Sequence, residues 1–159
     1  MVIIVFGLPG TGKTYFSEHL AASIDAKHLN TDKIRVQYKK EGKYDKETKQ
    51  FIYDTLGDKA VSFLQNGENV ILDGTFHSQK KRDQIINKIK SVQDKIYFIE
   101  VKANENIVRS RLNQKRNYSE ADFNIYKKIE RKFEPLLKDH LILWSDNENV
   151  DEMIKKTKE

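Results

Sequence analysis

The sequence predicts an α/β fold built on a parallel sheet, and three observations carry that expectation. Short apolar runs at Val2–Phe6, 69–72 and 95–101 have the length and character of strands buried on both faces. Between them lie longer segments whose apolar residues recur three or four positions apart, the period of helices packed by one face. Two prolines and seven glycines in 159 residues leave no linker, low-complexity tract or repeat, so a single domain over 1–159 is expected. Strands alternating with helices imply parallel pairing through right-handed crossovers. In such sheets ligands gather at the carboxyl ends of the strands.

Taken in order, the first strand, Val2–Phe6, breaks into Gly7-Leu8-Pro9-Gly10-Thr11-Gly12-Lys13-Thr14. Phe16, Leu20 and Ile24, with Ala21 beside them, then follow at helical spacing. Residues 26–29 form a short second strand ending in Asn30-Thr31-Asp32, and 33–38 start a helix for which Thr31 or Asp32 is the expected cap. The lysine-rich stretch 39–49 reads as an exposed mobile loop. Ile52, Leu56, Ala60, Phe63 and Leu64 share one face of a helix stopped at Asn66-Gly67.

The strand at 69–72 ends in Asp73-Gly74-Thr75, and Ile85, Ile86 and Ile89 mark a helix over 78–90. After the strand at 95–101, Asn104 is placed to cap a helix with Ile107, Val108 and Leu112 facing inward. Ser119-x-x-Asp122 has the form of a capping box, for a helix carrying Ala121, Ile125, Ile129 and Phe133. A last strand, Leu141–Trp144, precedes a polar C-terminal helix.

The glycine loop fits G-x-x-x-x-G-K-[ST], and the context that confirms that motif, strand then loop then helix, is present. Gly7, Gly10 and Gly12 allow the tight turn that aims successive N–H groups at phosphate oxygens, and the new helix adds its positive end. Lys13 would bridge the β- and γ-phosphates, and the Thr14 hydroxyl would ligate Mg²⁺. A chance match in a chain of this length is on the order of one in a hundred or rarer. A nucleoside-triphosphate site follows.

Other residues stand where chemistry would need them. Asp32 closes the second strand with Arg35 three positions on, so on a helix the two share a face. Asp32 is a candidate general base and Arg35 a group that holds an acceptor or neutralises phosphoryl charge; a cap plus a surface ion pair is the equal alternative. Asp73 resembles the acidic residue that closes a Walker B strand, binding a Mg²⁺-ligating water or contacting the acceptor. The cluster Arg109-Ser-Arg111-Leu-Asn-Gln-Lys115-Arg116 places Arg109 and Arg116 seven apart, on one helix face. Arginines from a lid would cover the phosphates and exclude water. Lys80, Lys81 and Arg82 read as solvated, although Arg82 has the reach for an acceptor phosphate. His77 reads as a loop histidine, Trp144 as a packing residue, and Ser145-Asp146-Asn147 as a turn able to border the adenine.

Composition narrows the classes. The absence of cysteine excludes disulfides and thiolate metal sites, and His19, His28, His77 and His140 lack ligand spacing. A net charge of +5 with 33% charged residues suits a phosphate-bearing ligand without marking a nucleic-acid face. No apolar run approaches about 18 residues, so a cytoplasmic protein without a membrane segment is expected.

On GLPGTGKT (7–14), LNTDKIR (29–35), NVILDGTF (69–76), RSRLNQKR (109–116) and YSEADFNIYKKIERKFEPL (118–136), the chain resembles small P-loop kinases of the polynucleotide-kinase and zeta-toxin-like kind. Adenylate and shikimate kinases are more distant relatives of that group. The resemblance covers nearly the whole chain. It implies the three-layer P-loop NTPase fold, with a five-stranded parallel sheet ordered 2-3-1-4-5 and an arginine-bearing helical lid at roughly 109–120. It implies that Asp32 deprotonates an acceptor hydroxyl with Arg35 as its partner, and that Arg109, Arg111 or Arg116 reaches ATP. The activity it implies is ATP- and Mg²⁺-dependent transfer of the γ-phosphate to a hydroxyl of a small molecule or a nucleic-acid end. The alternative is a regulatory P-loop ATPase with no acceptor. A monomer or weak dimer is expected in either case.

Overall fold

A computed structural model describes residues 1–114 and 123–159. The strands are β1 (Val2–Phe6), β2 (Ala26–Asn30), β3 (Asn69–Asp73), β4 (Ile96–Lys102) and β5 (Leu141–Trp144). Around them lie α1 (Lys13–Ile24), α2 (Thr31–Gln37), α3 (Lys46–Gln65), α4 (Gln79–Ile89), α5 (Glu105–Leu112), α6 (Phe123–Lys132) and α7 (Val150–Lys158). All pairings are parallel and the sheet runs β2-β3-β1-β4-β5, the order that the motif resemblance implies.

The strand pleat sorts β1 into two cores. Val2, Ile4 and Phe6 face one layer, packing with Val70 and Leu72 of β3 against Ile52 and Leu56 of α3 and Ile85 and Ile89 of α4. Ile3 and Val5 face the other, where Phe16 and Leu20 of α1 and Met153 of α7 close over them. That two-sided burial is why β1 carries no polar residue, and each such side chain contributes about 1.5–3 kcal/mol. A smaller cluster joins α5 and α6 through Val108, Leu112 and Tyr126, with Leu8 of the glycine loop packed against it. The β2–β3 register sets Asn30 beside Asp73. The two strands therefore end together, next to the loop that leaves β1.

Several local expectations are corrected. The lysine-rich stretch is helical from Lys46: Asp45 caps α3 by accepting from Thr48 N at 3.0 Å, so residues 46–49 are its first turn, with Thr48 buried, rather than exposed loop. The cap of α2 is Asn30, whose Oδ1 accepts from Lys33 N at 2.9 Å, one residue before Thr31. Asn104 precedes α5 without a side-chain cap bond. Trp144 is 58% exposed, because alternation on the edge strand turns Leu143 inward and its neighbours out. Arg82 is fully buried rather than solvated. It donates from Nε to Phe76 O at 2.8 Å and from Nη2 to Glu134 O, with its guanidinium beside the stacked Phe6 and Phe133 rings. The capping box at 119–122 and Arg116 lie outside the described residues.

Candidate functional site

The glycine loop is held by close packing. At Gly7, φ is +148°, and a Cβ there would stand 2.4 Å from the Val101 carbonyl oxygen, so the chain can leave β1 only without a side chain. Gly12 (φ +91°) precedes α1 in the left-handed region, and no side chain caps the helix. A helix start without a side-chain cap is the arrangement of helix-terminal anion sites. Thr11 is buried and donates to Leu8 O at 2.8 Å, while Lys13 Nζ bonds the same carbonyl at 3.0 Å. Pro9 and Gly10 line the cavity beside Lys13.

Thr14 is tied to Asp73 through Asn30. Asn30 Nδ2 donates to Thr14 Oγ1 at 3.1 Å and to Asp73 Oδ2 at 2.8 Å. His28 Nε2 meets the same carboxylate oxygen at 3.1 Å. Burial alone would raise the Asp73 pKa; the His28 hydrogen bond, with the charge of Lys13 and the Asn30 amide, overcomes it and holds Asp73 below the usual carboxylate range. Its Oδ1 is buried with no hydrogen-bond partner. An ionised carboxylate with one orphaned oxygen, beside a threonine hydroxyl, is a hard-oxygen donor set that fits Mg²⁺. Among the described residues no group of three or more His, Asp or Glu side chains could hold a metal alone. Asn30 and His28 were invisible as site residues in the sequence. No motif marks them, and only the β2–β3 register brings them to Asp73.

Asp32, on the first turn of α2, accepts from Arg35 Nη1 at 3.1 Å. The Arg35 guanidinium lies over the Tyr44 ring, 4.5 Å from its centre. Burial raises the Asp32 pKa above the usual value and outweighs the opposing charges of Arg35 and Lys13; Asp73 adds to the rise. A carboxylate made more basic in this way is a better proton acceptor. Two cavities meet here, both lined by Gly12, Thr14, Asn30 and Asp32. One, of about 450 Å³, opens toward Tyr15, Arg111 and the 145–147 turn. The other, of about 430 Å³, opens toward Arg35, Asp73, Lys49, His77 and α6.

The lid arginines separate. Arg111 reaches back to the loop and the β5 turn, donating from Nη1 to Ser145 Oγ at 3.0 Å and Gly10 O at 3.3 Å, from Nη2 to Asp146 O at 2.8 Å, and from Nε to Asn147 Oδ1 at 3.2 Å. Arg109 turns away. It is 59% exposed, stacks on Phe123 at 4.2 Å and lies 3.9 Å from Glu105. His77, read from the sequence as an ordinary loop residue, lines the second cavity.

Residues 2–136 match the model of the AAA domain family, AAA_33. The chain belongs to that family. This AAA domain is also 29% identical over 116 residues to the L-seryl-tRNA(Sec) kinase of Methanococcus maripaludis. That alignment takes in 70% of the chain but 44% of the relative, so the chain spans under half the length of the curated protein it matches. Among solved structures it superposes on a sugar kinase from Janibacter sp. HTCC2649 with a TM-score of 0.73 at 13% identity, over 98% of this chain and 91% of that one. It superposes equally on the APS kinase CysC of Mycobacterium tuberculosis in complex with AMPPNP and APS, with a TM-score of 0.72 at 12% identity over 98% and 94%. At such identities the structures establish the P-loop kinase fold. These matches establish the AAA domain family without singling out the polynucleotide-kinase and zeta-toxin-like kinship read from the motifs.

Proposed function

We propose that this chain is an ATP- and Mg²⁺-dependent phosphotransferase that moves the γ-phosphate of ATP to the hydroxyl of an acceptor, a small molecule or a nucleic-acid end. The observation that supports it best is Asp32: a carboxylate of raised pKa, held by Arg35, on the seam between the two cavities. A nucleotide switch needs no such base facing open space, whereas a kinase does. The kinase relatives, one of them solved with AMPPNP, lend support, and the seryl-tRNA relative keeps a nucleic-acid acceptor in view. The narrower kinship with polynucleotide kinases belongs to the same proposal.

The loop amides and the start of α1 take the phosphates, and Lys13 exchanges its bond to Leu8 O for phosphate oxygens. Asp32 takes the acceptor proton as the acceptor oxygen bonds the γ-phosphorus and the bond to the β–γ bridging oxygen breaks, releasing ADP. Arg35 orients Asp32. Arg111, with the 145–147 turn, walls the nucleotide side. Thr14 and Asp73 would hold Mg²⁺, which when bound neutralises charge on the phosphate oxygens. The test is a panel of nucleosides, sugars, amino-alcohols and 5′-hydroxyl oligonucleotides with ATP labelled at the γ-phosphate. Label on an alcohol is expected; release of label as inorganic phosphate alone would replace the kinase with a hydrolytic switch.

A further inference from the structure

The second cavity carries a charge pattern that the transfer chemistry does not use. Lys49 from α3, Lys81 from α4, and Lys128 and Lys132 from α6 line it, four lysines from three helices. Its only lining carboxylates among the described residues, Asp32 and Asp73, are engaged by Arg35, His28 and Asn30. No carboxylate among the described residues pairs with any of the four lysines, although six other lysines do form ion pairs. Lys81 lies over the Tyr53 ring at 5.3 Å and touches only an amide oxygen, that of Gln50 at 3.5 Å. The neighbours feel this excess. Desolvation lowers the pKa of Lys49, and the charges of Arg35 and Lys132 lower it further. Burial and the charge of Lys49 likewise depress His77.

A solvated lysine face would spread its charges over an open surface. Here the four line one cavity together with Asp32, and the charge of Lys132 acts on Lys49 and that of Lys49 on Lys81, like-charge costs that an anion would relieve. We infer that the acceptor is itself a phosphate-bearing alcohol, its phosphate seated among Lys49, Lys81, Lys128 and Lys132 while its hydroxyl meets Asp32. This assignment rests on the kinase reading above and sharpens it to a substrate class. The four lysines are specificity-determining residues, not catalytic ones.

Matched acceptors test it: a sugar against its monophosphate, and a nucleoside against a 5′-hydroxyl oligonucleotide whose phosphates are diesters. Each is assayed for label transfer, and for equilibrium binding to protein saturated with a non-hydrolysable ATP analogue. The phosphate-bearing member of at least one pair should bind tighter and show a lower KM than its plain partner, by about 10-fold or more. The pair that shows the gain identifies a monoester or a polynucleotide as the source. Lys128 and Lys132 are exposed on α6, so Lys128→Ala/Lys132→Ala should fold normally. It should erase most of that gain through KM, with kcat kept within a few-fold. Equal binding and equal KM within both pairs, or a gain untouched by the double variant, overturns the inference and leaves the kinase standing. ATP hydrolysis with no transfer to any alcohol removes the kinase reading itself.

Discussion

The two ends of the cleft are built by opposite means. The nucleotide end is local: one loop and the helix it starts supply Gly7 to Thr14, and backbone packing against Val101 leaves that loop little choice of shape. The end proposed for the acceptor adds to that loop and the end of β3 residues from α2, α3, α4 and α6, whose side chains meet only when the chain has folded. Binding a triphosphate needs many backbone donors in succession, which consecutive residues provide. Recognising an acceptor needs groups from several directions, which only remote segments provide. A family that shares the first end is therefore free to vary the second.

Substitutions at the two ends should separate in kind and size. At the nucleotide end, Lys13→Ala should cut turnover of any nucleotide by roughly 10²–10³-fold or more, measured by release or transfer of label. Unchanged turnover would remove the phosphate loop from the reaction. At the seam, Asp32→Asn should reduce transfer by about 10²-fold while nucleotide affinity stays within a few-fold. Equal loss of ATP binding would instead assign Asp32 to the nucleotide.

The raised pKa of Asp32 sharpens that test through pH. Transfer needs the ionised carboxylate, so the acid limb of the kcat/KM profile should fall at a pH above the ordinary aspartate range, and Asp32→Asn should lose that limb. Stability takes the opposite sign. A carboxyl whose folded pKa exceeds its unfolded one favours the folded state while protonated, and that contribution is lost as pH rises through the raised pKa. Asp32→Asn should therefore raise Tm at neutral pH and lose the gain below the unfolded pKa. A Tm gain that is constant with pH would point to packing instead.

Arg82 probes the scaffold that ties the start of α4 to the segment after α6. Arg82→Met should destabilise by about 2–4 kcal/mol, read from the urea midpoint, because the carbonyls of Phe76 and Glu134 lose their buried donor. The smallest effects should divide the lid. Arg111→Ala should lower nucleotide turnover measurably, by several-fold, whereas Arg109→Ala should change stability by no more than about 0.5 kcal/mol and leave nucleotide affinity unchanged. Equal losses at the two arginines would break the distinction drawn between them.

How much of this was legible in the chain depended on distance along it. The strand order followed from motif resemblance, and β1 from five apolar residues in a row. Boundaries failed where one polar residue did the work of another: Asn30 rather than Thr31 or Asp32 caps α2, and Asp45 starts α3 inside a stretch whose lysines suggested a loop. Arg82 misled because a charged residue near a helix start ordinarily faces water, whereas here two carbonyls accept from it and two aromatic rings lie against it.

By itself the sequence determined the alternation of strands and helices, the phosphate-binding loop and the candidacy of Asp32 and Asp73. Those features are written in neighbouring residues, and local sterics and periodicity suffice to read them. The tertiary structure alone decided that Asn30 and His28 hold Asp73, that Arg111 rather than Arg109 approaches the loop, and that four lysines line the cavity on the Arg35 side of Asp32. These pairings join residues separated by tens of positions, and strand register and helix packing, which no short window of sequence contains, bring them together.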